Sequence, residues 1–107
     1  MFTINGFLYG RENNKGQVFF IDRVTNGHIY FENRSGVAVT VSLQSSDAEA
    51  GTYTEFDTID LVPWGRGFHT METDDLASPF ILVTIGAGEV HYNVVTFEPI
   101  RLIDPRM

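Results

Sequence analysis

A chain of 107 residues is the size of one domain and long enough to build one core. Its net charge of −7, with scattered basic residues and a single lysine, Lys15, excludes the clustered positive charge that nucleic acid or an anionic membrane demands. The absence of cysteine excludes disulfides, thiolate zinc sites and cysteine nucleophiles, and no apolar run is long enough to cross a bilayer as a helix.

Val, Ile and Thr outnumber Ala, Leu and Lys more than two to one, which favours strands over helices. The first residues, MFTING, lack a basic region followed by an apolar one, so no secretory signal is expected and the chain is expected to be made in the cytoplasm.

In chain order, short apolar runs alternate with turn residues. Residues 2–9 form the first expected strand and residues 10–16, GRENNKG, a polar loop. Residues 17–25 and 28–33 flank Asn26-Gly27, the pair that best fits a tight hairpin turn. A two-residue loop there puts Val24 opposite Ile29, Asp22 opposite Phe31 and Phe20 opposite Asn33. Both faces of that hairpin carry apolar side chains, so it is either sandwiched or meets a partner.

Arg34-Ser35-Gly36 makes the next turn. Residues 37–44 then alternate, with Val37, Val39, Val41 and Leu43 on one face. An acidic loop, SSDAEAG, precedes strands expected at 52–56 and 58–62, and residues 63–67, PWGRG, form a turn. Strands follow at 68–73, at 80–85 as a run buried on both faces, and at 89–97. The motif Gly86-Ala87-Gly88 reads as a hairpin turn, since no helix follows it to make a phosphate loop.

The fold class expected is all-β: one antiparallel β-sandwich over residues 1–107, jelly-roll-like or immunoglobulin-like, with eight or nine strands. Val37, Val39, Val41, Leu43, Ile81, Val83, Ile85, Val90 and Val94 are expected inside. Residues 98–107 form a C-terminal tail. Its Ile100, Leu102 and Ile103 are too apolar to hang in water, so it docks on its own sheet or on another subunit.

Catalytic signatures are thin. His28, His69 and His91 have no second ligand at diagnostic spacing, so no metal site or cofactor is expected. Asp47, Glu49, Glu55, Asp57, Asp60, Glu72, Asp74 and Asp75 crowd one segment with a single base, Arg66. They read as a solvated acidic surface, with Asp74-Asp75 the one candidate ion site and a carboxylate-based enzyme the remote rival. Asn33-Arg34-Ser35 fits a glycosylation sequon but follows no secretion signal. Trp64, after Pro63 in a loop, is either a binding hot spot or a lid on the core.

The segments VTVSLQSSD, YTEFDTIDL, PWGRGFHTMET and SPFILVTIGAGEVHYNVVTF, spanning residues 37–97, resemble small β-sandwich structural proteins of tailed bacteriophages, of the head decoration or cement type. This chain departs from them at Phe80-Ile81-Leu82, where they usually carry a basic residue, so its strand there is more apolar. The resemblance implies a non-enzymatic virion protein on the outer capsid surface. Its partners would be the major capsid protein and its own copies, as a trimer or else a dimer. The interface candidates are Phe2, Phe7, Tyr9, Phe19, Tyr30, Trp64, Ile100, Leu102 and Ile103. The alternative is a carbohydrate- or receptor-binding module of a phage tail or fibre, with Trp64 as its stacking platform.

Overall fold

The computed structural model describes residues 2–10, 16–21, 27–71, 79–97 and 99–106, with side chains described as far as residue 103 in the last stretch. Among the described residues nine strands are found: β1 (Phe2–Tyr9), β2 (Gly16–Ile21), β3 (Gly27–Asn33), β4 (Val39–Ser46), β5 (Thr54–Leu61), β6 (Arg66–Met71), β7 (Phe80–Ile85), β8 (Glu89–Thr96) and β9 (Ile100–Arg106). They form a four-stranded sheet in the order β1-β8-β3-β6 and a five-stranded sheet in the order β5-β4-β7-β2-β9.

The pairings β1 with β8, β2 with β7, β3 with β6 and β4 with β5 are those of one long antiparallel ribbon folded at its middle. Pairing of β3 with β8 and of β4 with β7 rolls the ribbon into two facing sheets. This is a jelly roll, with β9 as a ninth strand added beside β2. An immunoglobulin-like sandwich would pair several consecutive strands, whereas here β4 and β5 are the one consecutive pair.

Alternation produces the core. Val39, Val41 and Leu43 from β4, Ile81, Val83 and Ile85 from β7, and Val90, Tyr92 and Val94 from β8 are all buried. Phe19 meets Tyr92 edge to face at 5.3 Å between ring centroids. Gly6 faces inward on β1 because Tyr92 needs the room: a Cβ at Gly6 would lie 2.5 Å from the phenol oxygen.

Several expectations are corrected. Strands β2 and β3 do not form a hairpin, because they belong to different sheets. Phe20 lies opposite Phe80 and Arg101, and Asn33 lies opposite Val90. Asn26, Val24 and Asp22 fall outside the described residues. Gly27 starts β3 without a positive φ. What demands glycine there is crowding, since a Cβ would sit 2.7 Å from the Met71 methyl and 2.9 Å from Thr96 Cγ2.

Val37 is 50% exposed, because β4 starts only at Val39. The two strands expected at 52–56 and 58–62 are one, β5, carrying a β-bulge: Leu43 lies opposite Asp57 and Gln44 opposite Glu55, leaving Phe56 extra. Gly86-Ala87-Gly88 carries the chain from one sheet to the other and is not a hairpin. Strand β7 is interior, with Ile81, Val83 and Ile85 in the core but Phe80, Leu82 and Thr84 only half-buried on its second face.

The segment read as a tail is β9, paired with β2 at the edge of its own sheet. The register slips between Gln17 and Phe19, and the buried Gln17 amide fills the gap by donating to the Ile103 carbonyl at 2.7 Å. Ile100 packs on the core, and the Arg101 guanidinium lies over the Phe20 ring at 4.9 Å.

Candidate functional site

One end of the jelly roll gathers the turn after β3, the turn between β5 and β6, and the turn between β7 and β8. Asn33 binds the first two together. Its side-chain amide donates to the Val37 carbonyl at 2.7 Å and the Val62 carbonyl at 3.1 Å. Its amide oxygen accepts from the Ser35 N–H at 3.1 Å and the Ser35 hydroxyl at 2.6 Å. The side chain is thus buried and fully engaged, which closes the sequon reading of Asn33-Arg34-Ser35 on physical grounds.

On that frame sits Trp64. The Gly65 N–H donates to the Val62 carbonyl at 2.9 Å, closing a tight turn with Pro63 and Trp64 at its centre. Pro63 followed by a residue at positive φ is the signature of a type II turn, whose third position normally takes glycine. Here that residue is tryptophan, at φ 61° and 68% exposed. A left-handed backbone costs a non-glycine residue about 1–2 kcal/mol. Trp64 is therefore no lid on the core: it is largely exposed, as are Val62 and Val37 in the neighbouring turns. A cleft of about 590 Å³ opens at the same end, lined by Tyr9, Arg34, Ser35, Val37 and residues 86–89.

A second surface is the outer face of the four-stranded sheet. Strand pairing sets Phe7, His91, Glu32 and Arg66 in one row, and Asn5, Asn93, Tyr30 and Phe68 in the next. Phe7 lies 4.7 Å from His91, Tyr30 lies 6.2 Å from Phe68, and Glu32 holds Arg66 at 3.1 Å. A groove of about 460 Å³ on this face is lined by Tyr30, Glu32, Arg66, Phe68, His91 and Asn93 among others.

Phe7, Tyr9 and Tyr30 thus share a face, while Trp64 stands at its upper end. Ile100, Leu102 and Ile103 lie on the far edge of the other sheet, and Phe2 begins β1. Phe19 is corrected: it is core, 1% exposed, and cannot touch a partner. Phe68, 61% exposed, was missed, along with Val62 and Phe97. The signal for Phe68 was its position opposite Tyr30, which appears only once β3 is paired with β6.

The acidic segment is used structurally. Asp60 accepts from Thr40 at 2.8 Å and Glu55 from Ser42 at 2.7 Å, both across the β4–β5 pair. Asp57 on β5 meets His69 Nδ1 on β6 at 2.6 Å, bridging the two sheets at their open side. Among the described residues no three His, Asp or Glu side chains are grouped to hold a metal ion. Asp74-Asp75 lies outside them.

No family model matches the chain, and neither do any curated protein or solved structure.

Proposed function

We propose that the chain is a virion structural protein, a decoration protein that binds the assembled phage head through the loop end bearing Val37, Val62 and Trp64. The motif resemblance of residues 37–97 supplies the class. The observation that carries the docking surface is Trp64, a large aromatic ring presented to solvent at a strained backbone position where glycine would be cheaper. The frame of Asn33 hydrogen bonds fixes the turn that carries the ring, so little backbone ordering is needed on contact.

The mechanism is mass action without chemistry or cofactor. A protein that binds the closed shell and not its separated subunits stabilises the shell. The major capsid protein is the partner, the outer capsid surface is the location, and a trimer at a local symmetry axis is the expected assembly, with a dimer as the alternative.

The test is Trp64→Gly. Glycine suits the left-handed turn, so the variant melts at or above the wild-type temperature. Its affinity for purified particles falls at least about 30-fold, the loss of a hot-spot side chain worth about 2 kcal/mol. Unchanged occupancy on the particle would overturn the docking surface.

A second reading, a carbohydrate-binding module, is favoured by a different observation, the aromatic groove on the four-stranded sheet.

A further inference from the structure

We infer that the groove on the outer face of the four-stranded sheet is a binding site for a neutral saccharide. It rests on the second reading above and goes beyond it by naming the site and the ligand chemistry. It shares no lining residue with the cleft at the loop end.

An outward sheet face in contact with water alone has no need of aromatic rings. Here Tyr30 and Phe68 lie side by side across the β3–β6 pair, both largely exposed. Exposed ring faces of this kind pack against apolar C–H surfaces and favour a polar rim around them. The rim is built from planar, two-pronged groups. The Glu32 carboxylate accepts in pairs, the Arg66 guanidinium donates as a fork, and the Asn93 amide does one of each. A ligand matching this set offers an apolar face together with adjacent groups that both donate and accept. A pyranose ring with neighbouring hydroxyls does so.

Charge narrows the class. Of the lining residues, Glu32 and Arg66 carry the formal charges and pair at 3.1 Å, and Glu32 also meets Arg34, beyond the lining, at 3.6 Å. The lining itself therefore has no net formal charge, and a net charge of −7 on the whole chain disfavours an acidic glycan. A neutral sugar fits both facts. At about 460 Å³ the groove lies within the range of small-ligand sites.

Asn93 adds an independent observation. Its amide oxygen is buried with no hydrogen-bond partner among the described residues. A buried acceptor left unmatched is unusual. Asn93 lines the groove, so a sugar hydroxyl seated there would meet a side chain that can both donate and accept.

The experiment is an amide-resolved NMR titration of the full chain with methyl glycosides of glucose, galactose, mannose and N-acetylglucosamine at millimolar concentrations. The expected result is saturable shifts at Tyr30, Glu32, Phe68 and Asn93 with at least one glycoside. Phe68→Ala and Glu32→Gln are each expected to weaken it tenfold or more while melting as wild type, since Phe68 packs little and Glu32 is partly exposed. Absence of shifts with all four, or shifts that persist in both variants, would overturn the inference. Phe68→Ala should still bind the particle, so failure here and failure of the decoration reading are read from separate assays.

Discussion

Asn33 holds more of the loop end together than any other single side chain there, since four hydrogen bonds run through its amide. Alanine at this position would leave the Val37 and Val62 carbonyls and the Ser35 N–H and hydroxyl without these partners and would untie the two turns. Asn33→Ala is expected to cost roughly 2–4 kcal/mol of stability and to loosen the turn that carries Trp64, as a chemical denaturation curve would show. A loss below about 0.5 kcal/mol would mean that the network is not structural. Sequence presented this residue as half of a sequon, because nothing local marks an asparagine whose partners lie 4 and 29 positions away. Tyr92 is the other residue with a measurable signature. Burial raises its phenol above the ordinary value of 10.0, because the phenolate would lose its hydration. The folded state then keeps the proton that the unfolded chain releases. Stability contributed by Tyr92 is whole below pH 10 and falls as the pH climbs through the raised folded value. Melting curves taken across that alkaline range should show the decline in wild type and a shallower one in Tyr92→Phe. Equal slopes would place the ring in water.

At the scale of strands, the positions of most elements were legible and their partners were not. Alternation in residues 37–44, the apolar run 80–85 and the stretch 89–97 marked strands within a residue or two of where they lie. Pairing is a long-range property. Asn26-Gly27 carried the strongest local hairpin signal, and the jelly roll overrode it by sending β2 and β3 to opposite sheets. That misplacement also hid the aromatic groove, since Phe68 meets Tyr30 only when β6 lies beside β3. The bulge at Phe56 broke the alternation of β5 and made one strand read as two. Strand β9 belongs to this scale too. Deleting residues 100–107 removes a strand from the edge of β2, uncovers the core beside Ile100, and leaves Gln17 without its Ile103 carbonyl. The truncated chain is expected to lose roughly 2–4 kcal/mol and to melt about 10 °C or more lower. An unchanged melting temperature would make β9 an appendage, free to serve another subunit.

Taken whole, the molecule is a rolled ribbon whose hydrogen-bonding demands are met mostly by its own sheets, with charge left for solubility and aromatic rings left for contact. Its carboxylates on β5 are matched by hydroxyls on β4 and by His69 on β6. Among the described residues the exposed large apolar side chains include Val37, Val62 and Trp64 at the loop end and Phe7, Tyr30 and Phe68 on the outer face of the four-stranded sheet, while Phe2, Phe97 and Leu102 lie elsewhere. On the decoration reading proposed above, the loop end is the part that meets the particle. The most direct measurement is a quantitative mass-spectrometric inventory of particles purified from cells that make this chain. The account predicts the chain at a fixed ratio to the major capsid protein, accessible to protease on intact particles and released before the shell opens. Absence of the chain from the particle, or its presence only inside with the genome, would contradict it.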